Sequence, residues 1–390
     1  MAWTFLEKTT EYSTQSKQNT QRRKIIHLLF HHQELSIPAL CQFLKLSVPT
    51  GTKLVKEFEN QGILVEAGKR ESSGGRRAVA YRLGPNMGYI ICIELVSHAF
   101  KLGIINLQRE LVYEYESETF DLNDKNAALD FLKNTVPQIV ASQNIPADQI
   151  LGVGIGIAGR VNHKKGISYS YLNLDQPLAN YLQMEWGFPV FIDNDTRLLA
   201  WGENTFGLAQ DKKNAICVNL SRGLAVSLIS NGHLHNGHSG FAGEFGHIFA
   251  ADNKRLCICG KKGCLETLVS GLALEAAYTA QTGEQLPYKK ILNLAERGQP
   301  QVTEILHQMG EQLGRSLAGL IDLLNPELIV LSGGFVPVFE TMRYSIIKGI
   351  SLHSLPQLAS DCEIRVSTLG DNAGIMGAYA MVFEQALAPE

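Results

Sequence analysis

The sequence contains no run of roughly 18 consecutive apolar residues, the length that a membrane-spanning helix needs. Its start is also polar, with Glu7, Lys8 and Glu11 where a secretory signal would carry an apolar segment. We therefore expect a cytoplasmic protein without membrane contact. Its 390 residues exceed one typical domain, so two or three compact units are expected.

Cysteine is scarce, with seven in the chain. Four are scattered, at positions 41, 92, 217 and 362, and are expected to be small core residues. Cys257, Cys259 and Cys264 are crowded together with glycines between them, and His247 precedes them. Three thiols and an imidazole complete a tetrahedral shell, so the sequence predicts a structural Zn²⁺ in a loop over 247–264. Free thiols beside an unrelated histidine are the alternative.

Charge is unevenly distributed. Residues 1–85 contain 13 lysines and arginines against seven acidic residues, a balance of +6, and the remainder carries −9. A basic module on an acidic body is typical of phosphate-backbone binding at one end of a chain.

The basic segment has the pattern of a winged helix-turn-helix. Apolar spacing and serine caps predict helices over 22–30, 36–44 and 47–61, followed by strands at 63–65 and 79–83 around a Gly/Ser/Arg turn. We expect a flexible tail over 1–17 and a DNA-binding domain over 18–84.

The second helix of a helix-turn-helix enters the major groove with its N-terminal residues, and a wing contacts the backbone or the minor groove. The residues expected to contact operator DNA are Ser47, Thr50, Thr52, Lys53, Lys56, Arg76 and Arg77. A helical docking module with merely solvated basic residues is the alternative.

From residue 89 the predicted secondary structure changes to alternating strands and helices. Strands are predicted at 89–95, 100–106, 111–117 and 150–158, and again at 215–220, 224–230, 328–331 and 363–366; long helices are predicted at 127–142, 302–324, 338–349 and 373–384. Two such halves indicate two α/β lobes, over 88–205 and 206–385, with a ligand cleft between them and the last helix packed back on the first lobe.

Two motifs in the second half resemble the signature of the ROK family (repressors, open reading frames and kinases). They are Gly-Glu-Phe-Gly-His at 243–247 and Cys-x-Cys-Gly-x-x-Gly-Cys-Leu-Glu at 257–266. The resemblance extends over about 88–385, and the fused winged helix resembles the repressor branch. It implies a two-lobed, actin-like and RNase H-like sugar-kinase fold, a structural zinc, and a sugar in the cleft.

The resemblance also implies which residues bind the sugar. Asn194 and Asp195 match a sugar-binding amide and the base of family kinases, and Glu244 and His247 match hydroxyl-binding positions. The full expected set is Asn194, Asp195, Glu244, His247, Glu266, Gly159 and Asn173. Carboxylate and amide groups aimed at vicinal hydroxyls distinguish sugar stereochemistry.

The glycines that would cradle ATP phosphates are missing. The family's Asp-x-Gly-Gly-Thr aligns with Glu-Leu-Val-Ser-His at 94–98, and its second Gly/Thr-rich loop aligns with 221–227, where Arg222 replaces threonine and Gly223 alone survives. Ser332-Gly333-Gly334, near the family's adenosine site, persists. Phosphoryl transfer depends on such backbone donors, so we expect no enzyme activity and Asp195 only as a vestigial base position.

The sequence therefore predicts a sugar-responsive transcriptional regulator, which we expect to be a repressor. Its expected partners are operator DNA, a sugar or sugar-phosphate effector, and further copies in a homodimer or homotetramer. An ATP-dependent sugar kinase with an appended DNA-binding domain is the first alternative. An effector that answers to another protein is the second.

Overall fold

The computed structural model describes residues 14–69, 79–251 and 254–387. The chain forms two compact units. The first comprises Met1–Ile157, Lys165–Asp193 and Ala378–Glu390, and the second comprises Ala158–Lys164 and Asn194–Gly377. Among the described residues, no helix is both long enough and apolar enough to cross a membrane.

In its described residues, the first unit begins with a small module of three helices and three strands. Its elements are α1 (Thr14–His32), β1 (Leu35–Ser36), α2 (Ile37–Leu44), α3 (Val48–Asn60), β2 (Leu64–Lys69) and β3 (Val79–Leu83). The strands form an antiparallel sheet in the order β1-β3-β2. Ser36 and Ser47 cap α2 and α3 by accepting hydrogen bonds from backbone amides three residues on.

Helix α1 corrects the predicted boundary of the N-terminal tail. Residues 14–17, assigned to a flexible tail by sequence, lie in the helix. They have no apolar periodicity, but glutamine and lysine are good helix formers and each added residue extends an existing helix by one hydrogen bond. Arg76 and Arg77, at the predicted turn, lie outside the described residues.

The rest of the first unit is a five-stranded mixed sheet with helices. Its strands are β4 (Tyr89–Val96), β5 (Ala99–Asn106), β6 (Leu111–Ser117), β7 (Ile150–Ile157) and β10 (Val190–Asn194), in the order β10-β7-β4-β5-β6. Strands β4, β5 and β6 pair antiparallel, and β7 pairs parallel to β4. Helices α4 (Lys125–Ser142) and α5 (Leu178–Trp186) belong to this unit, and the short strands β8 (Val161–Asn162) and β9 (Ile167–Ser168) follow β7.

The second unit has a sheet of the same strand order. Its strands are β11 (Ala215–Leu220), β12 (Leu224–Ser230), β13 (His233–His235), β14 (Leu328–Ser332) and β15 (Glu363–Val366), in the order β13-β12-β11-β14-β15. The helices are α6 (Asp195–Phe206), α7 (Gly271–Thr282), α8 (Tyr288–Glu296), α9 (Pro300–Leu324), α10 (Phe339–His353), α11 (Pro356–Asp361) and α12 (Ala373–Leu387), the last of which continues into the first unit from Ala378.

In both sheets a three-stranded antiparallel meander is followed by two strands added beside the first strand of the meander. In the second unit β14 and β15 are added in parallel. The core there lies between the sheet and helices α7 to α10, with Val218, Leu313 and Phe339 fully buried. The sequence-based division between 205 and 206 differs from the observed one, because α6 already belongs to the second unit.

Candidate functional sites

The N-terminal end of α3 is an exposed polar surface. Ser47, Thr50, Lys53 and Lys56 are exposed, whereas Thr52 is half-buried. The hydroxyls of Ser47 and Thr50 lie 2.8 Å apart, and the Ser47 oxygen also accepts from the Thr50 amide at 3.4 Å. The two hydroxyls therefore fix the cap of the helix while remaining at the surface.

Helices α2 and α3 approach each other closely at Gly51. A Cβ at this position would overlap the sulfur of Cys41, so glycine is what allows the two helices to pack. The Cys41 thiol also donates to the Ser47 carbonyl at 3.7 Å. On the other side, Arg22 of α1 forms an ion pair with Glu57 of α3.

Asn194 and Asp195 lie where β10 passes into α6. Asn194 caps the helix by accepting from the Arg197 amide at 3.2 Å. Its own amide donates to the Asp195 carboxylate and to the Gly159 carbonyl, both at 2.8 Å. Three of the sequence-predicted sugar residues are therefore in one hydrogen-bonded group, with the Asp195 side chain fixed in orientation.

The Asp195 carboxyl is electrostatically perturbed. Burial raises its pKa to about 6, and nearby Glu244 acts in the same direction. The Thr196 amide, the Arg197 guanidinium and the Asn194 amide favour the charged form and limit the rise. Arg197 is itself buried and donates to the carbonyls of Gly240 and Val161. A carboxyl with such a pKa is a candidate for function.

Glu244 and His247 lie on one turn after Gly243. Gly243 has φ +104°, and a Cβ there would overlap the Val226 carbonyl, so this position requires glycine. The Glu244 carboxylate lies 3.8 Å from Nε2 of His247. The opposite ring nitrogen, Nδ1, lies 3.5 Å from the Cys257 sulfur. One imidazole therefore lies between the Glu244 carboxylate and the thiol cluster.

His247, Cys257, Cys259 and Cys264 form a group that fits a metal ion. Their donor atoms all lie within 4.8 Å of one another. The sulfurs of Cys259 and Cys264 are 3.6 Å apart, close to the roughly 3.8 Å expected between two thiolates on one tetrahedral zinc with bonds of about 2.3 Å. Burial raises the pKa of the Cys257 thiol, so the thiolate form needs a cation beside it.

Glu266 is buried beneath this cluster. One carboxylate oxygen accepts from the Leu224 amide at 3.1 Å, and the other lies 3.8 Å from the Cys257 sulfur. Gly223 is close to it, since a Cβ there would lie 2.7 Å from the carboxylate. Glu266 thus connects the thiol loop to the start of β12.

Asn173 belongs to the first unit, unlike the other predicted sugar residues. Its side chain is exposed, and its carbonyl accepts from the Lys125 ammonium at 3.1 Å.

The hairpin turns that the sequence analysis identified are tight. Val96 pairs with Ala99, which leaves a two-residue turn, and the Val96 side chain is exposed. In the second unit Leu220 pairs with Leu224, so the loop holds only three residues, with the Arg222 side chain exposed.

The turn at Ser332–Gly334 is already occupied by side chains of the second unit. The Gly334 amide donates to the Ser221 hydroxyl at 2.9 Å, and that hydroxyl donates to Asn219 at 2.8 Å. The Tyr288 ring lies against the same turn: a Cβ on Gly334 would be 2.9 Å from its hydroxyl, and one on Gly271 would be 2.8 Å from its Cγ.

The sequence pattern did not single out Tyr288 as the residue that lies against the Gly334 turn. Its ring stacks on Phe335, with centroids 5.9 Å apart and planes inclined by 10°. It is half-buried, and the only local signal is an aromatic residue after Pro287 at the start of α8. That signal does not indicate which turn the ring covers.

The sequence profile of the ROK family matches residues 90–385, so the chain belongs to the ROK family. Its body has the α/β sugar-kinase-like fold of that family. The xylose repressor of Bacillus spizizenii is 27% identical over 369 residues, which cover 94% of this chain and 95% of that protein. A glucokinase of Halalkalibacterium halodurans is 26% identical over 315 residues and covers 76% of this chain and 96% of its own length.

Among solved structures, a ROK family transcriptional regulator described as a homologue of the Escherichia coli MLC protein superposes with a TM-score of 0.77 at 27% identity. The match covers 95% of this chain and 97% of that structure. The similarity to the repressor and to this regulator therefore extends over the N-terminal module, whereas the similarity to the glucokinase leaves about a quarter of the chain unmatched.

Proposed function

We propose that the protein is a sugar-responsive DNA-binding transcriptional repressor, with a winged helix-turn-helix at its N-terminus and a sugar-kinase-like body that does not phosphorylate its ligand. The relatives of full length support this reading, since they are named as a repressor and a transcriptional regulator. The match to the glucokinase covers 76% of this chain, and the share left uncovered is similar to the length of the N-terminal module.

The observation that carries the proposal is the filling of the Ser332–Gly334 turn. Kinases of this family are expected to bind adenosine near this turn, and a nucleotide needs free backbone donors and open space there. Here the Gly334 amide donates to the Ser221 hydroxyl, and the Tyr288 ring lies against Gly334. Together with the side chains of Val96 and Arg222 at the two hairpins, this argues against ATP as a substrate.

The proposed effector site consists of Asn194, Asp195, Glu244 and His247, with Gly159 as a neighbour. The carboxylates accept hydrogen bonds from sugar hydroxyls and the imidazole supplies a donor, while the Asn194 amide orients the Asp195 carboxylate. Glu266 would act beneath them by holding β12 and the thiol loop. Asn173 stays a proposed contact from the first unit.

The metal that fits the His247 cluster best is Zn²⁺, bound by three thiolates and one imidazole. Such a shell has no open position, so its role would be to fix the loop that carries His247 and Glu266. The ion contributes folding energy to this loop and no chemistry to the ligand.

The proposed DNA contacts are Ser47, Thr50, Thr52, Lys53 and Lys56 at the start of and along α3, with Arg76 and Arg77 from the segment between β2 and β3. A helix whose N-terminal residues are exposed and capped is able to enter a major groove. We further propose a homodimer or homotetramer, because two modules are needed to read two half-sites. Light scattering of the purified protein measures this directly.

The decisive experiment combines a phosphotransfer assay with a ligand screen. Purified protein is incubated with ATP and Mg²⁺ and a panel of pentoses, hexoses and N-acetylhexosamines, and the same sugars and their phosphates are screened by thermal shift. We expect no turnover and a rise in melting temperature with one ligand class. The same ligand class should release the protein from a DNA sequence that has been selected for binding to it. Turnover that is lost in Asp195→Asn would instead identify a kinase.

A further inference from the structure

Outside the sites above, two histidines and a glutamate form a second candidate metal site in the first unit. His27 and His31 lie four residues apart on α1, so they are on one face of that helix. Glu384 lies on α12, in the part that belongs to the same unit. We call these three residues the His/Glu cluster.

The donor atoms of the cluster converge. Nε2 of His27 lies 3.0 Å from one Glu384 oxygen, Nε2 of His31 lies 3.0 Å from the same oxygen, and the two nitrogens are 3.3 Å apart. Two ligands on one tetrahedral zinc with bonds of 2.0–2.1 Å are separated by about 3.3 Å. The observed triangle therefore has the dimensions of one face of a tetrahedral shell.

Hydrogen bonds explain the short distance between the two imidazole nitrogens less well than a bound cation does. Two protonated rings with nitrogens 3.3 Å apart repel each other, and two neutral rings that both carry their proton on Nε2 bring these protons close together over one carboxylate, whose oxygens lie 3.0 and 3.2 Å from Nε2 of His27. A cation between the three atoms uses both nitrogen lone pairs and the carboxylate charge at once. Two histidines at this spacing on one helix are also a recurrent zinc-binding arrangement.

The scaffold holds the ligands in position without the ion. Phe30, between the two histidines, stacks on Phe383 beside Glu384, with ring centroids 3.4 Å apart and planes inclined by 11°. Arg109 donates to the backbone carbonyls of Phe30 and His31, the latter at 3.2 Å. Ligands whose helices are locked by such packing lose little entropy when a metal binds.

We propose that the His/Glu cluster binds one divalent transition-metal ion of the zinc class, with two imidazoles and a carboxylate as ligands and a fourth position open to water. The three side chains are 22–33% exposed, which gives the ion a route from solvent. The occupied site cross-links α1, in the N-terminal module, to α12. Metal availability then controls how firmly the helix that supports α3 is held.

The test uses the full-length protein and Co²⁺ as an optical probe. Cobalt in the cysteine cluster gives an intense thiolate charge-transfer band, whereas cobalt bound by nitrogen and oxygen gives only weaker d–d bands. We expect the wild type to take up two equivalents, the second without a thiolate band. Glu384→Gln and His31→Ala should weaken that second equivalent by about tenfold or more and leave the thiolate band unchanged.

The matched control is His32→Ala, which removes a neighbouring histidine of the same helix that is outside the cluster. It should bind two equivalents. Glu384→Gln keeps the size of the side chain, so its unfolding transition without metal reports whether the fold is intact. A wild type that binds a single equivalent at millimolar Co²⁺, or an undiminished second equivalent in the variant with all three ligands replaced, overturns the proposal.

Discussion

The carboxylate of Glu266 accepts a hydrogen bond from the backbone amide of Leu224 at 3.1 Å, and both groups are buried. This bond joins the segment after the thiol cluster to the first residue of β12. We expect Glu266→Ala to leave the amide unpaired and to lower the free energy of unfolding by about 1–3 kcal/mol. Urea unfolding followed by circular dichroism measures this. Glu266→Gln retains an acceptor and should lose less; equal losses would contradict the role of this bond.

The thiol cluster predicts a stoichiometric metal. Replacing Cys257 or Cys264 by alanine should remove one zinc per chain and weaken the thermal-shift response to sugar, because the ion stabilises the loop that carries His247. Elemental analysis and thermal unfolding of the variants measure both effects. Cys362→Ala is the control, since this cysteine is buried away from the cluster. Normal zinc content and stability in Cys257→Ala would contradict the assignment.

The raised pKa of Asp195 makes stability depend on pH. Its pKa is about 6 in the folded protein and about 4 in an unfolded chain, so its favourable contribution is complete below pH 4 and is lost as the pH rises through 6. As the pH rises from 5 to 7.5, the free energy of unfolding of Asp195→Asn should therefore increase relative to that of the wild type, by at most about 2–3 kcal/mol. Urea titrations at both pH values measure it. If the stability difference between Asp195→Asn and wild type did not change with pH, the Asp195 carboxyl would be more solvated than the structure indicates.

The close approach at Gly51 predicts a specific packing conflict. Gly51→Ala should destabilise the N-terminal module by about 1–3 kcal/mol, because the new methyl group overlaps the sulfur of Cys41. Adding Cys41→Ala removes that sulfur and should restore most of the loss. Thermal unfolding of both single variants and the double variant gives the coupling. Additive losses would mean that the sulfur is not the obstacle.

The exposed lysines of α3 predict how DNA binding responds to salt. The double variant with Lys53 and Lys56 replaced by alanine should bind more weakly and reduce the slope of log K against log salt by about 2, since each phosphate contact contributes about 0.9. Fluorescence anisotropy over a salt series measures the slope. Replacing Lys289 and Lys290, which are exposed on α8, is the matched charge control. Replacing Arg76 and Arg77 by alanine should likewise weaken binding and lower the slope. An unchanged slope would mean that these two arginines do not contact DNA phosphates.

Much of the secondary structure could be predicted locally. Ser36 and Ser47 mark the starts of α2 and α3, and alternating or continuous apolar runs give β5, β11 and β12 within a residue or two. The sequence does not predict helices α5, α6, α7, α8 and α11. Their lengths are 6 to 12 residues, and periodicity is weak in such short segments.

What the sequence by itself determined is the chemistry that is local in the chain: the Cys-x-Cys spacing with its glycines, the Asn194–Asp195 pair, and the missing glycines at the two hairpins. Only the tertiary structure decided that Tyr288 lies over the Gly334 turn, that Glu266 holds the Leu224 amide, and that Glu384 meets two histidines more than 350 residues away. The physical reason is that a spacing within one turn or loop is fixed by backbone geometry. The partner of a side chain on a distant element depends on how the whole sheet and its helices pack.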